Sequence, residues 1–257
     1  MLQLSLAVHV AAIAATLARP GIWPWTLAAV IANHLLLMAT GLWPRSSGLG
    51  FNRTRLPPQA CARGEIAITI DDGPDPGVTP QVLALLAKHG AQATFFCIGE
   101  QIDRHPDLAR AVVRAGHAIE NHSQRHPLYF SLLGPQRQRN EIVQAQQTIA
   151  TITGEVPRFF RAPAGLRSPL LDPILTRLNL QLASWTRRGF DTVTTDADSV
   201  YARLVRDLRG GDILLLHDGH AARTPSGTPI ILEVLPRLLA AAAAAGLKPV
   251  TLRSALE

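Results

Sequence analysis

The sequence predicts a parallel α/β domain preceded by an apolar helical hairpin, and three observations carry that reading. Strand-like runs at 65–70, 93–98, 117–121, 157–160, 181–185, 212–217 and 247–252 alternate with helical patterns at 79–89, 106–115, 136–152, 169–178, 197–209 and 229–245. Such alternation is the signature of βα units around a parallel sheet. The hydrophobic fraction, 47% of 257 residues, supplies a sizeable core and argues against disorder. Two apolar runs fill most of residues 2–43. The pattern admits both an open doubly wound sheet and a barrel, and the lack of GxGxxG after the first strand weakens a dinucleotide fold.

The opening segment comes first. Residues 2–18, "LQLSLAVHVAAIAATLA", and 25–43, "WTLAAVIANHLLLMATGLW", flank the turn "RPGIWPW". Each run is near the length needed to cross a bilayer, about 20 residues, so residues 1–45 read as a membrane-anchoring hairpin. A signal peptide is the alternative, but the start carries no basic residue and the second run would be unexplained. A pair of buried helices in a soluble protein is another, kept open by Asn33 and His34 in mid-run. Residues 46–61 read as a linker and 62–257 as the main domain. Net charge is +6, and residues 1–60 hold Arg19, Arg45, Arg53 and Arg55 with no acidic residue. The modest remainder argues against a nucleic-acid groove. Three arginines after the second run against one in the turn lean the main domain to the cytoplasmic face of a bacterial-type inner membrane. Cys61 and Cys97 form no disulfide framework; Cys97, in "TFFCIG", reads as a small core hydrophobe.

The first strand, Ile66 to Ile70, ends in Asp71 and Asp72, followed by "GPDPGVTP". In isolation that is a solvated turn. The other strands change its weight. His122 and His126 follow the third strand in "NHSQRHP", Arg161 the fourth in "FFRAPAG", and Asp191 the fifth in "SWTRRGFD"; His217 ends the sixth in "ILLLHDG". The C-terminal strand ends of a parallel barrel form one face, where active sites sit. His122 and His126 are four apart, so a helical turn closed by Pro127 would align their imidazoles. Two histidines and one carboxylate are a three-ligand set for catalytic zinc; two surface histidines flanking Arg125 are the alternative. The other carboxylate is then free to act as general base, tethered by Arg161, unless Arg161 only caps the rim. His217 could protonate a leaving group with Asp191 orienting it or keeping it charged, or be a satisfied core histidine.

In this order "TIDDGP", "HSQRHP", "RAPAG", "SWTRRGFD" and "LLLHD" resemble the polysaccharide deacetylases that share the NodB homology domain (carbohydrate esterase family 4), over about residues 62 to 252. The resemblance implies a distorted (β/α) barrel of about seven parallel strands and a divalent metal, most commonly Zn2+. It also implies removal of acetyl groups from N-acetylated sugars such as chitin oligomers or peptidoglycan. By motif, Asp71 is the base, and Asp72, His122 and His126 hold the metal. Arg161 tethers Asp71, and His217 is the general acid tuned by Asp191. The Ala164 backbone amide helps hold the oxyanion, while Trp185 and Leu215 wall the acetyl pocket. The sequence departs from the pattern at Ala164, often aromatic, at Thr192, often tryptophan, and at Arg188, often acidic. Those departures thin the sugar-binding walls and suit a second substrate, a lipid-linked amino sugar deacetylated or deformylated at the membrane surface. A non-catalytic glycan- or lipid-binding membrane protein is the third reading, and the intact metal and acid–base residues speak against it.

Overall fold

A computed structural model describes residues 1–257. The helices are α1 (Leu2–Ala18), α2 (Trp23–Leu42), α3 (Pro58–Ala62), α4 (Thr79–Lys88), α5 (Gly99–Arg104), α6 (Pro106–Arg114), α7 (Pro135–Thr153), α8 (Leu171–Arg177), α9 (Ala197–Val205) and α10 (Ile230–Ala244). The strands are β1 (Glu65–Asp71), β2 (Ala93–Cys97), β3 (Ala118–Asn121), β4 (Phe159–Phe160), β5 (Gln181–Leu182), β6 (Arg187–Arg188), β7 (Ile213–His217) and β8 (Lys248–Pro249).

β1 is central because both its faces are apolar or functional, as a strand covered on both sides requires. It pairs in parallel with β2 and β7, and the sheet runs β5-β4-β3-β2-β1-β7-β6, with β8 pairing the start of β1. The strand period of two then divides the side chains. Ile66, Ile68 and Ile70 join Phe95, Leu214 and Leu216 under Val82, Leu86, Val200, Leu204, Val234 and Leu238 of the covering helices. Ala67 packs on the opposite, concave side with Phe96, Phe159, Trp185 and Leu215. Thr69 and Asp71 share that concave side by the same alternation.

The sheet is a curled half-barrel of parallel strands, the NodB-like architecture that the resemblance implies. Several details differ from the strand expectations: the strands expected at 157–160 and 181–185 shorten to the two-residue β4 and β5. β6 is an extra two-residue strand, at 187–188, and the expected strand at 247–252 shortens to β8. Residues 53–56, within the segment expected to be a linker, lie between β5 and β7. The Arg53 amide donates to Leu182 (2.9 Å), the Ser184 amide to Arg53 (3.0 Å), and the Leu56 amide to Gly211 (2.9 Å). Leu56 and Ala60 enter the inner core. The physical reason is that an open sheet edge leaves backbone groups unpaired, and this segment supplies partners. Its polar, Gly- and Pro-bearing composition hides that role.

α1 and α2 pack antiparallel. Ser5 Oγ accepts from Asn33 (2.8 Å), His9 meets His34 (3.2 Å) and Thr16 meets Thr26 (2.7 Å). The polar side chains of both runs thus face each other, while Leu4, Leu6, Val10, Ile13, Leu17, Ile31, Leu35 and Leu36 are exposed. The stretch Pro20–Leu42 is long and apolar enough to cross a membrane, and Leu2–Ala18 is shorter. The end of α2 is tied to the barrel. The Arg167 amide donates to Gly41 (3.1 Å), Ser184 Oγ to the Pro44 carbonyl (2.7 Å), and Asn52 to the carbonyls of Pro44 and Ser46 (2.9 Å each).

Phe95 is fully buried between the sheet and its helices. Phe95→Ala should lower the unfolding free energy of the detergent-solubilised chain by about 3–5 kcal/mol, read from its urea transition.

Candidate active site

Asp71 and His217 are register partners at the ends of β1 and β7, so parallel pairing sets both on one rim. Arg161, immediately after β4, crosses the barrel interior beneath them. Its guanidinium donates to Asp71 Oδ1 (2.6 Å), Thr69 Oγ1 (2.8 Å), and the carbonyls of Ala183 (3.1 Å) and Ser184 (2.8 Å). It also stands 4.0 Å over the Phe96 ring. Burial lowers the Arg161 pKa and the Asp71 carboxylate opposes that shift; a guanidinium stays charged in either case.

Asp72 breaks the strand. Its φ is 76°, in the left-handed region that few non-glycine residues adopt. This breaks the alternation that would have sent its side chain to the far face, so both carboxylates address the same cleft. Gly73 follows because a Cβ there would collide with the Asp218 carboxylate. Asp218 is itself buried, accepts from Thr79 Oγ1 (2.5 Å), and is pushed up to about 7 by burial.

His122 and His126 converge on Asp72, though not through the helical turn expected from their spacing. Residues 122–126 form an irregular bend with positive φ at Ser123 (66°) and His126 (53°). Ser123 Oγ accepts from the His126 amide (3.0 Å), and Glu141 accepts from the Arg125 amide (2.9 Å). Local side-chain acceptors hold this bend in place of the helical hydrogen-bond ladder. His122 Nδ1 lies 2.8 Å from the Arg161 carbonyl, so Nδ1 carries the proton and Nε2 offers a lone pair. The Nε2 atoms of His122 and His126 each lie 3.3 Å from Asp72 Oδ1. That oxygen is buried without a donor, and the three candidate ligand atoms fall within 4.8 Å of one another. Ligands about 2.05 Å from a tetrahedral ion lie about 3.3 Å apart, so the cluster fits a zinc-sized cation. Burial would raise the Asp72 carboxyl, but the imidazoles of His122 and His220 beside it outweigh that and hold it well below the usual range. Burial, reinforced by His122, lowers His126 to about 4.

His217 faces this cluster. Asp191, fully buried, accepts from the His217 amide with one oxygen (2.7 Å) and meets Nδ1 with the other (2.9 Å). Burial lowers the imidazole pKa, but Asp191 outweighs it and raises it to about 9. The cleft has a volume of about 470 Å³, and Asp71, Asp72, His122, His126, Ala164, Trp185, Leu215 and His217 all line it. Arg161 and Asp191 stand behind, bonded to Asp71 and His217. Ala164 has φ 54° in a tight turn. His220, not singled out from the sequence, lies 3.3 Å from Asp72 Oδ2. Its position three residues after His217 in "HDGH" is the signal that could have found it.

Comparison with known proteins agrees with this geometry. The polysaccharide deacetylase family matches residues 60–183. A peptidoglycan-N-acetylglucosamine deacetylase of Bacillus cereus is 37% identical over 175 residues, covering 67% of this chain and 81% of the relative. A chitooligosaccharide deacetylase of Sinorhizobium fredii is 35% identical over 181 residues, covering 66% of this chain and 79% of the relative. Among solved structures, a family 4 carbohydrate esterase from Streptomyces lividans in complex with acetate is 31% identical. It superposes with a TM-score of 0.65 over 72% of this chain and 91% of that one.

The cluster predicts one zinc per chain in the stripped and reloaded full-length protein. Zinc at about 100 times its Kd should stabilise the fold by about 2.7 kcal/mol, seen as a rise in melting temperature. Asp72→Ala and His122→Ala should lose both the bound zinc and the rise.

Proposed function

The chain belongs to the polysaccharide deacetylase family, and we propose that it is a membrane-anchored, metal-dependent amidohydrolase that removes N-acetyl groups from an N-acetylglucosamine-type glycan. The observation that carries this reading is the division of labour between adjacent carboxylates. Asp71 is held by Arg161, and Asp72 is aimed at two imidazole nitrogens. The substrate class rests on what the relatives are named for.

Asp72, His122 and His126 would hold a divalent cation, zinc by their N2O donor set, and when bound it would supply Lewis acidity. The rest is done by side chains and backbone. Asp71 Oδ1 is committed to Arg161, which leaves Oδ2 to accept the proton of the water as it attacks. The Ala164 amide donates to the carbonyl oxygen as negative charge develops there. His217, kept charged by Asp191, gives its proton to the departing amine as the C–N bond breaks. Trp185 and Leu215 flank the acyl methyl. The products are acetate and a free amino sugar.

One observation favours the lipid-linked version of this substrate. Pro44, just past α2, packs at Gly165 beside Trp185, so the cleft wall is continuous with the apolar hairpin. Arg45, Arg53 and Arg55 after α2, against Arg19 in the turn, support a cytoplasmic face. A lipid-linked precursor is reached on that face and mature wall polymer is not. The test is acetate release by the full chain in detergent, from N-acetylglucosamine oligomers and from a lipid-linked N-acetylglucosamine, with and without chelator. Chelator-sensitive release supports the proposal. Release unaffected by chelator and by loss of Asp72 contradicts it.

Asp71→Asn should lower kcat by about 10²–10⁴-fold while zinc stays bound; unchanged turnover would remove Asp71 from the base role. His217 must be protonated to act, and Asp191 holds its pKa above the ordinary 6.5. Asp191→Asn should therefore move the basic limb of the kcat/KM–pH profile to lower pH. A limb that stays put would assign it to another group.

A further inference from the structure

The two arginines of β6 are adjacent in sequence and opposite in fate. Arg187 pairs with Leu214 and Arg188 with Leu215. Leu214 lies under the covering helices, whereas Leu215 lines the cleft, so Arg188 follows Leu215 to the concave side. Arg187 is fully engaged, with Asp212 at 2.6 Å and the carbonyls of Arg206 and Asp207. The Arg188 guanidinium lies over two aromatic rings, 5.5 Å from Trp185 and 4.9 Å from Phe190. Its Nε is buried with no acceptor.

The carboxylates around it are taken. Asp191 gives both oxygens to His217, Asp71 is held by Arg161, and Asp72 faces the imidazoles. The other acidic and basic side chains of the cleft are also paired, Arg125 with Glu141 (3.2 Å) and Glu100 with Arg104 (3.5 Å). Arg188 is therefore the arginine of the cleft whose charge nothing in the protein answers. Buried donors without acceptors are rare and destabilising, and ring stacking pre-orients a guanidinium without using its N–H groups.

We infer that Arg188 holds an oxyanion of the substrate, a phosphate or carboxylate, so that the amino sugar this cleft takes is anionic. This rests on the deacetylase reading and narrows it. A planar guanidinium offers two parallel donors to such a group. Because the stack with Trp185 sits on the wall that Pro44 supports, the anion lies on the hairpin side of the acyl pocket. A phosphate joining the sugar to a lipid would meet it there, and a soluble sugar phosphate or an acidic sugar would satisfy the same donors.

The experiment measures kcat/KM of the zinc-loaded full chain on four substrates. They are neutral di-N-acetylchitobiose, N-acetylglucosamine 1-phosphate, an N-acetylglucosaminyl–N-acetylmuramic acid disaccharide, and polyprenyl-diphosphate-linked N-acetylglucosamine in phosphatidylcholine vesicles. We expect at least one anionic substrate to exceed the neutral one. Arg188→Gln keeps much of the stacked stem and should lower that anionic-to-neutral ratio by about 10- to 100-fold, mainly through KM, with Arg188→Lys recovering part of it. Preference for the lipid-linked phosphate alone identifies a lipid substrate, and equal preference for the soluble phosphate a sugar phosphate. Preference for the muramic disaccharide identifies a carboxylate. A wild type without anionic preference, or an Arg188→Gln ratio unchanged from wild type, overturns the inference and leaves the deacetylase reading standing. No acetate from any of the four overturns both.

Discussion

Two carboxylates in sequence at the closed end of a barrel strand repel each other, and the site is organised around that repulsion. Unit charges about 4 Å apart interact by about 4 kcal/mol at an effective dielectric of about 20, so a buried pair needs counter-charge on both members. Arg161 supplies one, through a bond of 2.6 Å to Asp71. The guanidinium is itself anchored on Thr69, Ala183 and Ser184, which ties β1, β4 and β5 into one arrangement. Asp72 is brought to the same cleft by its positive φ and faces His122 and His126, where a divalent cation would complete the balance. The Arg161 carbonyl meanwhile fixes the His122 tautomer, so one residue orders both halves of the site.

On the opposite rim, Asp191 grips both the backbone and the ring of His217. Asp71 and His217 are therefore set by the β1–β7 register rather than by flexible loops, which is the rigidity that charge-stabilising chemistry needs. The hairpin is joined to the same body. Pro44, Asn52 and Arg167 connect the end of α2 to the loop bearing Ala164 and to the strand end bearing Trp185. If α1 and α2 lie in a bilayer, the cleft is held at its surface at a fixed distance.

Much of this was legible in the sequence because β1 has an unambiguous period. Ile66, Ile68 and Ile70 mark one face, leaving Thr69 and Asp71 on the other, and the functional motifs recur at strand ends. The order of those motifs carried the family. What was not legible was non-local or non-helical. β6 is two arginines with no apolar signal, formed because β7 offers a free edge. The segment around Leu56 looks like a linker, since its composition reports none of the hydrogen bonds it makes to β5 and Gly211. The His122–His126 spacing suggested a helical turn, whereas Ser123 and Glu141 stabilise a bend that no spacing rule describes. Asn33 and His34, which argued against a membrane hairpin, are matched by Ser5 and His9 across the helix pair. That pairing depends on a contact 25 or more residues away.

The central claim is that Asp72, His122 and His126 together form a metal site while Asp71 stays out of it. Zinc K-edge absorption spectroscopy on the loaded full-length chain addresses this directly. The account predicts a first shell of two imidazole nitrogens at about 2.0–2.1 Å with oxygen at about 2.0–2.2 Å, and an unchanged imidazole signature in Asp71→Asn. A shell lacking imidazole scattering, or one that loses a ligand when Asp71 is neutralised, would contradict it.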